Sequence, residues 1–188
     1  MNPLRFRVVA LVLAVAAAGT AAAEPWRRAP DPATVDAVAE LDGQWVGRPT
    51  PSVTFEDLQG RRRTMADLRG HPVFLNFWGS FCKPCRREMP SLEQLARRFR
   101  NRGLVVAAAS LDPKPEPLRA FLDRFLEGEQ TAMEILRDPD GSAAGRFGTE
   151  LLPETYIVDR RGRVLARLVN AYDWTRPAVR RLAKSLMQ

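Results

Sequence analysis

Two cysteines, Cys82 and Cys85, are the only ones in this 188-residue chain, and two residues separate them in Trp78-Gly-Ser-Phe-Cys-Lys-Pro-Cys-Arg-Arg-Glu-Met-Pro90. A pair this close can cycle between dithiol and disulfide. A loop closed over two residues removes little unfolded-state entropy, so the bond stabilises poorly and reversible chemistry is its better explanation. The stretch follows Val73-Phe-Leu-Asn-Phe77, which reads as a buried strand, and precedes a helical pattern that runs to about Arg102. A strand-to-helix junction puts Cys82 at a helix N-terminus, where unpaired N–H groups and the helix dipole favour an anion. The thiolate is the reactive form of cysteine. Other uses of the pair fit poorly. A structural zinc site takes about four ligands, and the chain adds only His71, which reads as a loop residue. Covalent haem attachment needs histidine directly after the second cysteine, where Arg86 stands.

The elements that must hold this stretch are legible in outline. Ser52 to Leu58 and Arg61 to Met65 read as a hairpin about Gln59-Gly60, followed by a short helical turn over 66–70. After the dithiol, Cys85, Met89, Leu92, Leu95 or Ala96, and Phe99 recur at helical spacing, with Pro90 expected to kink the helix. A second strand follows over 104–110, a helix over 115–127, a short extended piece over 133–136 and a short helix over 142–147. A strand over 154–159 turns through Arg160-Arg-Gly162 into a partner over 163–169, and an amphipathic helix closes the chain over 175–186. Strands alternating with helices and then a terminal hairpin predict an α/β sheet with parallel and antiparallel pairs.

The first residues read separately. Arg5 and Arg7 precede an apolar run, Val8 to Ala18, and a small-residue Ala21-Ala-Ala23. This is the layout of a secretory signal, or of an uncleaved N-terminal membrane anchor; either places the folded part outside the cytoplasm. Residues 24–50, with four prolines, read as a linker or loosely packed arm carrying at most a helical turn or two over Ala33 to Leu41, leaving 51–188 as the folded domain. The formal charge is +7. Arginines cluster at 61–63, 97–102 and 160–163 without interleaved aromatics, so they read as a solvated surface rather than a nucleic-acid site.

From about residue 50 to 185 the chain resembles the exported thioredoxin-like thiol-disulfide oxidoreductases of the TlpA/ResA/DsbE type. The resemblance rests on Phe-Leu-Asn-Phe-Trp-Gly-Ser-Phe-Cys-Lys-Pro-Cys-Arg-Arg-Glu-Met-Pro (74–90) and on Leu-Pro-Glu-Thr-Tyr-Ile-Val-Asp-Arg-Arg-Gly-Arg-Val (152–164). It implies a thioredoxin fold: three α/β/α layers on a mixed sheet, with an N-terminal β-hairpin extension and an extra αβ insertion. It implies Cys82 as nucleophile, Cys85 as resolving thiol, and Lys83 and Pro84 as residues tuning the reduction potential. Pro153 matches a cis-proline beside the dithiol, and the resemblance implies Leu152, Pro153 and Trp78 as substrate-binding residues, with Leu152 presenting backbone to a substrate chain and Trp78 packing near the pair. Glu88 stands where a glutamate exchanges protons with the second thiol. Asn76 replaces the buried aspartate of cytoplasmic thioredoxins and cannot take a proton, which shifts that duty to Glu88 or water. Phe81, where tryptophan is common, is a departure.

The implied function is an exported reductase of envelope-protein disulfides, for example in apocytochrome c or copper-site assembly proteins. No cofactor or metal is needed beyond the Cys82–Cys85 couple, and a membrane electron donor of the DsbD/CcdA type would recharge it. A metal-binding module on the same scaffold would be expected to have lost a cysteine or to space the pair more widely. A disulfide-forming oxidant is the other alternative that the resemblance leaves open.

Overall fold

The computed structural model describes residues 30–126 and 128–188. The expected signal or anchor over 1–23 lies outside the described residues. Within these described residues eight strands form one sheet: β1 (Gln44–Pro49), β2 (Thr54–Asp57), β3 (Arg62–Thr64), β4 (Val73–Trp78), β5 (Val105–Ser110), β6 (Glu134–Arg137), β7 (Glu154–Val158) and β8 (Arg163–Val169). Their spatial order is β1-β8-β7-β4-β5-β6-β2-β3. Among the described residues five α-helices accompany them: α1 (Pro32–Glu40), α2 (Lys83–Phe99), α3 (Pro115–Phe125), α4 (Ser142–Phe147) and α5 (Pro177–Leu186).

β4 lies near the middle, parallel to β5 and antiparallel to β7. Every one of its six residues is buried, as expected of a strand covered on both faces, which reads as a near-continuous apolar run. Alternation splits its side chains between two cores. Phe74 and Trp78 face a core shared with α1, α2, α3 and α5, whereas Leu75 and Phe77 face one shared with α4 and a short 3-10 turn at Met65–Leu68. The crossovers β4–α2–β5 and β5–α3–β6 step the same way along the sheet. The right-handed rule for parallel connections therefore sets α2 and α3 on one face. The β2–β3 hairpin joins the far edge through β6; its turn is held by Asp57, which accepts from the backbone N–H groups of Gln59 and Arg61. α2 continues through the exposed Pro90 to Phe99.

The expectation of a loose arm over 24–50 is corrected for its described part. Asp31 caps α1 by accepting from the Thr34 backbone N–H at 3.0 Å. Pro32 fills the first helical position, where a missing N–H costs nothing. Ala37, Val38 and Leu41 are buried in the core shared with α5. β1 pairs antiparallel with β8, with a register shift between Trp45 and Arg48 and with Pro49 at its end. Of the prolines read as linker composition, Pro32 and Pro49 therefore sit at element boundaries. Truncating a buried leucine costs roughly 2–5 kcal/mol, so Leu41→Ala should lower the urea midpoint accordingly. An unchanged midpoint would return this segment to a loosely attached arm.

Candidate active site

Local sequence builds the site from the start of α2. Cys82 is the N-cap, with φ −87° and ψ 108°, and Lys83 and Pro84 occupy the first two helical positions. The Cys85 backbone N–H points back at the Cys82 sulfur, 3.2 Å away. The first turn carries no acidic residue, while Lys83, Arg86 and Arg87 are exposed around it. Helix N–H groups and cationic neighbours both lower the free energy of an anion on that sulfur.

The two sulfurs are joined in a disulfide. Cys82 is half-buried, whereas Cys85 is fully buried. An incoming nucleophile or electrophile therefore meets Cys82 first.

Glu88 lies on the same face of α2 as Cys85, one turn further in, because residues three apart on a helix are neighbours. It is 3% exposed. One carboxylate oxygen accepts from Asn76 Nδ2 at 2.9 Å. The other accepts from the Tyr172 backbone N–H at 2.9 Å and from Trp174 Nε1 at 3.1 Å. Loss of hydration outweighs these three donors and pushes the carboxyl up to about 7; burial penalises the charged form. Asn76 also donates to Thr155 Oγ1 at 2.9 Å, while its Oδ1 has no partner among the described residues. A carboxamide carries a donor and an acceptor that exchange places on a half-turn. Asn76 can thus donate to ionised Glu88 and, turned over, accept from protonated Glu88.

The second signature meets the dithiol end of the sheet from β7. The Leu152–Pro153 bond is cis, and Pro153 is buried with Leu152 half-buried beside it. The Pro153 carbonyl accepts from the Asn170 N–H at 3.2 Å. Leu152 and Cys82 pack against one hydrophobic cluster, the cluster that holds Trp78 and Cys85.

The expectation that Trp78 helps bind substrate is corrected. Its side chain has no exposed surface, and it packs on Phe121 with ring centroids 5.2 Å apart, so it supports the site from beneath. The apolar groups that face solvent here are Phe81, 63% exposed, and Leu151, 62% exposed. Sequence reasoning noted Phe81 only as a departure and did not pick out Leu151. It also missed Tyr172 and Trp174, which sit in a coil with no periodicity to mark them. His71 is exposed, with Nδ1 against the Gly103 carbonyl at 3.0 Å, away from the dithiol.

A mixed α/β sheet, a disulfide at the N-terminus of a buried-face helix and a cis-proline preceding the adjacent strand define a thioredoxin-fold protein built around a redox dithiol. The chain belongs to the AhpC/TSA family, whose model matches residues 46–167. Among its relatives, the thiol-disulfide oxidoreductase ResA of Bacillus thuringiensis is 27% identical over 168 residues, covering 89% of this chain and 88% of that one. ResA of Geobacillus thermodenitrificans is 34% identical over 119 residues, or 63% and 66% of the two chains. Among solved structures, a protein from Chlorobium tepidum assigned as the thiol:disulfide interchange protein DsbE superposes with a TM-score of 0.67 and 26% identity. That match covers 75% of this chain and 96% of the other.

The environment of Glu88 has a measurable consequence. A folded-state pKa raised from 4.5 to about 7 favours folding while Glu88 stays protonated. That stability is complete below about pH 4.5 and is lost as pH rises towards 7, at about 1.4 kcal/mol per pKa unit, or about 3 kcal/mol in all. In Glu88→Gln the decline should flatten, seen in urea melts of the disulfide form across this range. Equal slopes in both proteins would assign the pH dependence to another group.

Proposed function

We propose that the protein is a thiol-disulfide oxidoreductase that reduces disulfides in exported proteins by dithiol exchange. One observation carries the reading. The half-exposed sulfur of Cys82 caps α2 while its disulfide partner is sealed inside. In the reduced protein the Cys82 thiolate attacks one sulfur of a substrate disulfide. The substrate S–S bond breaks, a mixed disulfide forms, and the departing thiolate takes a proton. Cys85 then loses its proton and attacks the Cys82 sulfur. The mixed disulfide breaks, the second substrate thiol leaves, and the Cys82–Cys85 bond forms with two electrons passed to substrate. Glu88, held near 7 one turn below Cys85, is matched to accept the Cys85 proton near neutral pH. Lys83 and Pro84, in the first helical turn, bear on the balance between the two redox forms. The backbone at Leu152 and Pro153 is assigned to pair with the substrate chain as an added strand.

The relatives named ResA and DsbE support this chemistry, and the apolar run at Val8 to Ala18 supports export by cleaved signal or by anchor. Among the described residues no helix is long and apolar enough to cross a membrane. We assign apocytochrome c or copper-site assembly proteins as the substrate class and a membrane dithiol donor of the DsbD/CcdA type as the source of electrons.

Cys82→Ser should abolish reduction of a model protein disulfide, whereas Cys85→Ser should accumulate mixed disulfides recoverable on non-reducing gels. Turnover by Cys82→Ser would remove it as nucleophile. Equilibration with glutathione should place the couple below about −200 mV, on the thioredoxin side of the range. A value near −120 mV would reverse the direction of electron flow and make the protein an oxidant.

A further inference from the structure

We infer that Asp112 is a positioning residue for the nucleophile, acting through Ser80. Asp112 follows β5 and is 2% exposed. Its Oδ2 accepts from the Ser80 backbone N–H at 2.9 Å and from Ser110 Oγ at 2.6 Å, and its Oδ1 accepts from Ser80 Oγ at 2.6 Å. The Asp112 N–H in turn donates to Ser110 Oγ at 3.0 Å. Both oxygens are thus committed to the four-residue connection between β4 and α2 and to the strand beside it.

That connection has few other restraints. The Leu111 N–H donates to the Trp78 carbonyl at 2.8 Å, which extends the β4–β5 ladder to its last residue. The Cys82 N–H donates to the Gly79 carbonyl at 3.0 Å, closing a turn with Ser80 and Phe81 at its corners. The Phe81 ring folds over Gly79, where an added Cβ would lie 2.5 Å from a ring carbon. Ser80 is where the turn is fastened to the sheet, and its fastener is a buried carboxylate. Moving Ser80 by an ångström moves the Cys82 sulfur off the axis of the Cys85 N–H. Geometry at this scale governs exchange chemistry, and a buried carboxylate is retained when hydrogen bonds replace its lost hydration.

This inference rests on the reading of Cys82 as nucleophile, and its test separates the two. The readout is the pH midpoint for alkylation of Cys82 by iodoacetamide in the reduced full-length protein, with Cys85→Ser as background. Wild-type Cys82 with an unperturbed thiol midpoint would count against the dithiol reading itself. The charged groups carried by the elements around Cys82 are Lys83, Arg86, Arg87 and Glu88 on α2, Asp112 beyond β5, and Glu150 and Glu154 flanking the cis-proline.

Asp112→Ala frees the turn and should raise the midpoint by about one unit, slowing alkylation about tenfold at neutral pH. Asp112→Asn keeps an acceptor for the Ser80 N–H and offers a donor to the Ser80 hydroxyl, which can accept; it should restore a near wild-type midpoint. Ser80→Ala deletes one of the three bonds and should shift the midpoint in the same direction by less, which keeps the test open if Asp112→Ala does not fold. A fall of the midpoint in both Asp112 variants would show Asp112 acting by charge and overturn the inference. Lower thermal stability with an unmoved midpoint would overturn it as well, leaving Asp112 a structural residue.

Discussion

The bond from the Cys85 backbone N–H to the Cys82 sulfur is the contact that the rest of the structure serves. It exists because α2 begins one residue after Cys82, and a helix start offers N–H groups with no helical partner. A sulfur in the N-cap position takes one of them. The chain there supplies no acid to compete and several cations to assist. An ordinary feature of helix geometry thus favours an anion on the half-buried Cys82 sulfur once the disulfide is reduced.

One turn deeper the same helix treats a second acidic group in the opposite way. Glu88 has three hydrogen-bond donors but almost no exposed surface, and burial dominates. Cys82 is favoured as an anion by position, and Glu88 is disfavoured as an anion by desolvation. Cys85 lies between them along the helix. Such divergence between neighbouring titratable groups is a recurrent sign of divided acid and base roles. Glu88 also ties α2 to β4 through Asn76 and to the segment after β8 through Tyr172 and Trp174. The group assigned to move a proton is therefore also a cross-link between three parts of the fold, and the edge-on contact of Trp174 with Phe74 packs the same junction.

The sheet explains why this arrangement is rigid. β4 has partners on both sides and cores on both faces, so the strand that leads into the dithiol has little freedom. The flanks are finished by less regular pieces. The β2–β3 hairpin completes one edge, and β1, with its register shift and terminal proline, completes the other. Features of this kind are common on edge strands, where an open ladder would otherwise invite pairing with another chain.

The sequence by itself determined the dithiol, the strand before it, the helix after it and the order of most later elements. These depend on spacing between near neighbours: alternation in strands, recurrence every three or four residues in helices, and the turn chemistry of Gly60 and Gly162. It also marked Glu88 as one turn from Cys85. Only the tertiary structure decided what surrounds these residues. The environment of Glu88 comes from Asn76, twelve residues earlier, and from Tyr172 and Trp174, more than eighty residues later. The clamp on Ser80 comes from Asp112, thirty-two residues away. Trp78 proved to be core rather than a substrate contact, and the described part of the proline-bearing segment proved to hold a helix and a strand, because in each case the burying partner lies far off in sequence. Local pattern fixes which backbone groups are left without partners. Desolvation, which moves the proton on Glu88 and seals Cys85, is set by everything that folds around them.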